Sequence, residues 1–154
     1  MRIPAALLAA VAAALAAAAH AGDEHARPAQ LAPAYRQECG ACHLPYPPAM
    51  LPAASWQRLM GNLQHHFGAD ASLDAATTRA LASWVAANAG TSGRVRAAPP
   101  EDRITRSAWF VREHHEVPAA AWQRPAVKST ANCSACHARA AEGDFDEHRV
   151  RIPR

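Results

Sequence analysis

Trp56, Leu59, Met60, Leu63 and Phe67 recur at steps of three and four residues, the spacing that keeps apolar side chains on one face of an α-helix. With Ser55 as N-cap and Gly68 as stop, the pattern predicts an amphipathic helix over residues 56–67. At about 100° per residue, with Trp56 at the origin, the five fall between roughly 300° and 40°. His66 then falls at about 280°, beside the stripe, and His65 at about 180°, opposite it. The wheel therefore turns His66 inward. A second series, Leu73, Ala76, Thr77, Ala80, Leu81, Trp84 and Val85, predicts another helix that Ser72 caps and Asn88-Ala89-Gly90 ends. Upstream, Leu31 and Tyr35 share one side of a helix expected from about Ala29 to Glu38. Pro45, Pro47, Pro48 and Pro52 make the stretch from Leu44 to Pro52 a stiff loop.

Beyond Gly90 the pattern weakens. Gly90 to Pro100 reads as a linker by composition. A helix is expected between about Thr105 and Glu116, stopping before Pro118, but its apolar stripe is ambiguous. Ile104, Ala108, Val111 and His115 form one series, and Ser107, Phe110 and His114 form another. Periodicity does not choose between His114 and His115. A short Ala-rich helix ending near Glu142 and a charged tail complete the chain, and no strong strand signal occurs. The chain reads as mainly α.

The first residues form a separate unit. Met1-Arg2 precedes an uncharged run from Ile3 to Ala19 and the small-x-small site Ala19-His20-Ala21, the pattern of a secretory signal peptide cleaved after Ala21. An uncleaved anchor is the alternative, but the run is short and alanine-rich for a span. The expected organisation is residues 1–21 as signal, 22–92 as a first unit and 93–154 as a second, the mature chain being exported, in a bacterium to the periplasm. Its net charge falls from +3 to +2 with the loss of Arg2. No run of basic residues suits nucleic acid. Half of the residues count as hydrophobic, yet much of that is alanine, so large apolar side chains are few for so small a core.

All 4 cysteines fall in two copies of one pentapeptide, Cys39-Gly40-Ala41-Cys42-His43 and Cys133-Ser134-Ala135-Cys136-His137. Cys-x-x-Cys-His is the attachment signature of c-type haem: two thiols reach the porphyrin vinyl groups as thioethers, and the next histidine presents its imidazole to iron. A four-cysteine zinc site or a pair of disulfides would use the same cysteines, but neither needs a histidine after each second cysteine. With 9 His in 154 residues, that coincidence at both places has a chance of about 0.3%. Two covalently held porphyrins would also supply the missing apolar mass. His43 and His137 are the proximal ligands by position in the motif. The sixth ligands come from the remaining histidines or from Met50 and Met60; Met60 lies on the apolar stripe, and His20, His25 and His148 lie near the ends.

Glu38-Cys39-Gly40-Ala41-Cys42-His43, Tyr46-Pro47-Pro48, Leu51-Pro52, Ser55-Trp56, His66-Phe67-Gly68, Ile104-Thr105, Trp109-Phe110, His114, Val127-Lys128-Ser129, Asn132-Cys133-Ser134-Ala135-Cys136-His137 and Arg151-Ile152-Pro153 together resemble the bacterial periplasmic dihaem cytochrome c family of DHC type. The likeness runs from about Pro33 to Pro153, with Pro45 a departure in the loop. It implies a class I cytochrome c-like N-terminal haem unit and a smaller, irregular C-terminal haem unit. It implies two covalently bound haem c groups, attached through Cys39, Cys42, Cys133 and Cys136. It also implies bis-histidine irons, with His66 and His114 as sixth ligands beside His43 and His137. The expected role is electron transfer at low potential, with no catalytic residue, by a monomer whose redox partner is a monohaem cytochrome or a membrane b-type cytochrome. The alternative is a haem enzyme, a peroxidase or small-molecule reductase with one displaceable axial ligand, for which Glu113 and Glu116 are the nearest acid/base candidates.

Overall fold

The computed structural model describes residues 32–154. The signal segment 1–21 and the Ala29–Leu31 start expected for the first helix lie outside the described residues. Five short α-helices occur in the described chain: α1 (Pro33–Gly40), α2 (Ala53–Met60), α3 (Ala75–Ala87), α4 (Ala108–Glu113) and α5 (Ala119–Trp122). They are joined by 3₁₀ turns, and the described residues form no strand, only an isolated bridge between His66 and Ala69. No helix among them is long and apolar enough to cross a membrane.

In the first half, α1, α2 and α3 surround a core of Tyr35, Leu51, Trp56, Met60, Leu81 and Val85. Pro33 opens α1 at a position where the missing N–H costs nothing. The Tyr35 ring meets Trp56 edge-on at 6.4 Å and Trp84 at 5.0 Å, locking the three helices together. Its hydroxyl donates to the Tyr46 carbonyl at 2.7 Å, and Trp56 Nε1 donates to the Pro48 carbonyl at 2.8 Å. The proline loop is thereby fixed to the core by two buried aromatic side chains.

The helix expected over residues 56–67 is much shorter. Pro52 stands at the N-cap of α2, while Ser55 lies fully buried inside it. Gly61 then ends the helix at Met60, its N–H returning to the Gln57 carbonyl at 3.0 Å. Gly61-Asn62 is a pair of poor helix formers, and the chain turns there into a 3₁₀ segment at Leu63–His65. His66 is therefore not on α2, and the wheel argument for it does not apply. Asp74, not Ser72, caps α3, its carboxylate accepting from the N–H groups of Ala76 at 2.9 Å and Thr77 at 3.0 Å. Those bonds hold Asp74 below the usual carboxylate range.

Gly90 is needed for close approach. Its N–H donates to the Leu51 carbonyl at 2.8 Å, and a Cβ there would lie 2.4 Å from both the Ala49 carbonyl oxygen and Val95 Cγ2. The stretch read as a linker is accordingly packed: Val95, in the turn Gly93–Val95, is buried, as is Pro99.

The second half is built from turns at Pro100–Asp102, Ile104–Arg106, Cys133–Ala135, Ala140–Glu142 and Glu147–Arg149, with α4 and α5 between. α4 starts at Ala108 rather than Thr105 because Ser107 caps it, its Oγ accepting from the Phe110 N–H at 3.2 Å. Where a short Ala-rich helix was expected, two separate 3₁₀ turns stand, the second ending at Gly143 with φ of 76°. The tail is tied down by Arg151 N–H to the Cys136 carbonyl at 2.9 Å and by Arg124 Nη1 to the Pro153 carbonyl at 2.6 Å. Side-chain contacts between the halves include the Tyr46 Oη bond to the Ala131 carbonyl at 2.6 Å, the Arg58 fork onto Asp102 at 2.8 and 2.6 Å, and the Arg103 guanidinium 4.3 Å over the Phe67 ring, while Ile104 packs against the first-half core.

Candidate functional site

Each Cys-x-x-Cys-His segment ends in an imidazole that faces a second one. His43 and His66 have ring centres 6.0 Å apart with planes 19° from parallel. His114 and His137 have centres 6.2 Å apart with planes at 72°. A histidine nitrogen lies about 2 Å from the metal it binds and the ring centre about 1 Å further, so two rings on opposite sides of one metal stand roughly 6 Å apart. Both pairs have that spacing.

In the first pair, His43 follows the end of α1, and its Nδ1 donates to the Leu44 carbonyl at 2.7 Å. The ring stacks on Tyr46 at 5.1 Å. His66 arrives through the turn after α2, where Phe67 takes φ of 53° and Gly68 φ of 96°. Positive φ at Phe67 is strained for a side chain of its size, and Arg103 over its exposed ring helps to hold it there. His66 Nδ1 is buried without a partner. Burial, with His43 adding, lowers the His66 pKa. Cys39 is half-buried and its thiol is pushed up to about 11 by burial, Glu38 adding; Cys42 is exposed.

In the second pair, His114 is the C-cap of α4, and the Phe110 carbonyl accepts both its backbone N–H at 3.1 Å and its ring Nδ1 at 2.9 Å. The ring stacks on Phe110 at 4.0 Å and leans on Trp122 at 5.9 Å. His137 follows its own turn, its N–H bonded to the Cys133 carbonyl at 2.8 Å, with Phe145 at 5.3 Å from the ring. Burial lowers its pKa, His114 adds to that, and Asp144 opposes it. The thiols of Cys133 and Cys136 are raised chiefly by burial.

A carbonyl oxygen only accepts, so His43 and His114 carry their proton on Nδ1 and present Nε2 as the free lone pair. All four cysteines are free thiols, and among the described residues no three or more His, Cys, Asp or Glu gather as a metal site. Among the described residues the two Cys-x-x-Cys pairs stand apart from one another, each beside its own pair of imidazoles. Two opposed nitrogens per site, with two thiols alongside, fit a metal whose four equatorial ligands come from a porphyrin.

The other sequence candidates lie elsewhere. Met60 is in the core and Met50 in the turn Pro48–Met50. His65 is exposed and bonded to Asn62, while His115 is exposed with Nδ1 on the Arg112 carbonyl. Glu113 pairs with Arg112, and Glu116 is exposed. Tyr46 carried no periodic signal, yet it joins the sites. Its ring lies on His43, and its hydroxyl reaches Ala131, two residues before Cys133. Phe110 was legible only as an apolar position.

A mainly helical chain with two facing-imidazole sites, each beside a Cys-x-x-Cys-His, has the layout of a dihaem c-type cytochrome. The sequence pattern of the dihaem cytochrome c family matches residues 35–145. A solved diheme cytochrome c from Shewanella baltica superposes with a TM-score of 0.70 at 38% identity, covering 79% of this chain and 92% of that one. A crystal structure of DHC purified from Rhodobacter sphaeroides gives 0.66 at 42% identity, covering 75% and 97%. A second Rhodobacter sphaeroides diheme cytochrome c structure gives 0.68 at 41% identity, covering 75% and 98%. No curated protein matches the chain. The chain belongs to the dihaem cytochrome c family. It carries two covalently bound haem c groups and serves in electron transfer.

Proposed function

We propose that the protein is a periplasmic electron shuttle whose two haems are held through Cys39 and Cys42 in the first unit (22–92) and Cys133 and Cys136 in the second (93–154). His43 with His66, and His114 with His137, would be the pairs that hold the two irons. The observation that carries this reading is the spacing of 6.0 and 6.2 Å between the facing rings. Each bound haem supplies a one-electron couple. The residues then have three tasks. The four imidazoles would hold the two irons, leaving no position for a substrate atom unless one of them is displaced, and histidine lacks the potential-raising effect of methionine. The Leu44 and Phe110 carbonyls fix the tautomers and ring orientations of His43 and His114. Tyr46 links His43 to the segment that ends in Cys133, giving a short contact path between the units.

On this reading the protein has no catalytic residue and works as a monomer that docks briefly on a monohaem cytochrome or a membrane b-type cytochrome, the small transient contact usual in redox encounters. Signal cleavage after Ala21 would leave it free in the periplasm. Carbon monoxide added to the reduced protein tests the ligation. Wild type should not bind it, and His66→Ala and His114→Ala should each open one site. His65→Ala and His115→Ala should behave as wild type. Carbon monoxide binding by wild type, together with saturable turnover of peroxide or nitrite, would turn the reading to a haem enzyme.

A further inference from the structure

The two pairs differ in ring orientation: their planes lie 19° apart in the first and 72° apart in the second. On the His114 side, the residue that contributes most to this angle is Phe110. Phe110 fixes the His114 ring twice, by its carbonyl on Nδ1 at 2.9 Å and by its own ring stacked at 4.0 Å and 20°. Because the two residues are four apart at the end of α4, the helix sets that stacking locally. Trp122 lies tilted at 51° with its ring centre 5.9 Å away. His137 receives no such clamp from α4. Its plane follows the turn Cys133–Ala135 and the contact with Phe145.

We infer that Phe110 is a positioning residue which, through His114, keeps the second axial pair crossed while the first stays near-parallel, making the two irons electronically distinct. The inference rests on the bis-histidine reading above. An imidazole donates π density into the iron d orbital perpendicular to its ring plane. Two parallel rings act on one orbital of the pair and split it. Two crossed rings act one on each and leave the pair nearly degenerate. In ferric low-spin iron the hole sits in this pair, so a large splitting stabilises the ferric form and a small one does not. Axial-ligand orientation is thus a means of tuning the site that leaves ligand identity unchanged.

Low-temperature electron paramagnetic resonance of the oxidised holoprotein tests this. The expected spectrum is the sum of a rhombic low-spin signal with three resolved features and a strongly anisotropic one in which only the low-field feature is sharp. His114→Ala should remove the anisotropic signal and His66→Ala the rhombic one. Phe110→Leu keeps an apolar side chain but lacks the flat face. It should turn the anisotropic signal rhombic and lower the potential of that couple, leaving the first signal in place. Val111→Ala, an exposed neighbour on α4, should change neither. Two rhombic signals in wild type would overturn the inference, as would loss of the anisotropic signal in His66→Ala. So would a fall in potential in Phe110→Leu with the signal unchanged, since that would mean solvent entry and not ring rotation. Failure of bis-histidine ligation itself would look different: a high-spin ferric signal, or carbon monoxide binding by the reduced wild type.

Discussion

Replacing Gly90 by Ala puts a methyl group where the chain has no room. The added Cβ would stand 2.4 Å from the Ala49 oxygen and 2.4 Å from Val95 Cγ2, against an ordinary contact of at least 3.4 Å. Relief needs a shift of about 1 Å, and Val95 cannot supply it because it is itself buried. The backbone must move instead, stretching the 2.8 Å bond from Gly90 N–H to the Leu51 carbonyl past the useful range. Overpacking of this kind costs about 1–3 kcal/mol, and the lost hydrogen bond adds about 1 kcal/mol. For a domain of this size each kcal/mol moves the melting temperature by about 3–6 °C, so a fall of roughly 10 °C is expected in the holoprotein. Gly93→Ala is the internal control, since nothing lies within 4 Å of its Cβ and its φ is not positive. It should leave stability unchanged or raise it by about 0.5 kcal/mol through the unfolded chain. Far-UV circular dichroism melts of the two variants decide the matter. Equal melting temperatures would refute the claim that the end of α3 is clamped onto the proline loop.

Three further outcomes are expected. Trp56→Phe removes the buried N–H donor to the Pro48 carbonyl and should destabilise by about 1–3 kcal/mol in guanidinium titrations; a loss below about 0.5 kcal/mol would mean that the loop is held otherwise. Asp102 is held below the usual carboxylate range, first by its hydrogen bond from Arg58. Its contribution to stability is therefore complete above the unfolded carboxylate pKa and is lost as pH falls through its lower folded value. Asp102→Asn keeps a residue that tolerates the φ of 54° found there and should flatten the acid limb of the melting curve; an unchanged limb would count against the ion pair. Cys39→Ala with Cys42→Ala should leave one covalent haem in the intact mass and in stained denaturing gels, and retention of two would refute the attachment reading.

What was legible in the sequence followed from strong local signals. The paired pentapeptides and the stripe of Trp56, Leu59 and Met60 need no tertiary information, and α2 and α3 stand where their apolar spacing puts them. Helix ends were harder, because a wheel counts hydrophobicity and does not register a break. Leu63 and Phe67 fit the stripe, but Gly61-Asn62 ends α2 before them. His66 still faces His43, delivered by a turn with two positive φ values instead of by a helix face. Ser72 and Asp74 are both good capping residues, and only the backbone shows that Asp74 holds the place. In the second half the elements span four to six residues at most, too short for periodicity to separate His114 from His115. Tyr46 escaped because its role depends on a partner 85 residues away in the chain.

The facing imidazoles also say something about assembly in time. From His43 to His66 and from His114 to His137 the chain runs the same 23 positions, so closing either loop carries about the same entropic cost, which grows only as the logarithm of loop length. The order is reversed, however. In the first pair the Cys-x-x-Cys-His segment precedes the histidine it faces, whereas in the second that histidine comes first. If the chain is exported amino end first, as proposed above, Cys39 and Cys42 would be available for haem attachment before His66 has emerged. Cys133 and Cys136 would emerge with His114 already waiting. The strap from Arg151 and Pro153 would close over the second motif only once those residues had followed it out.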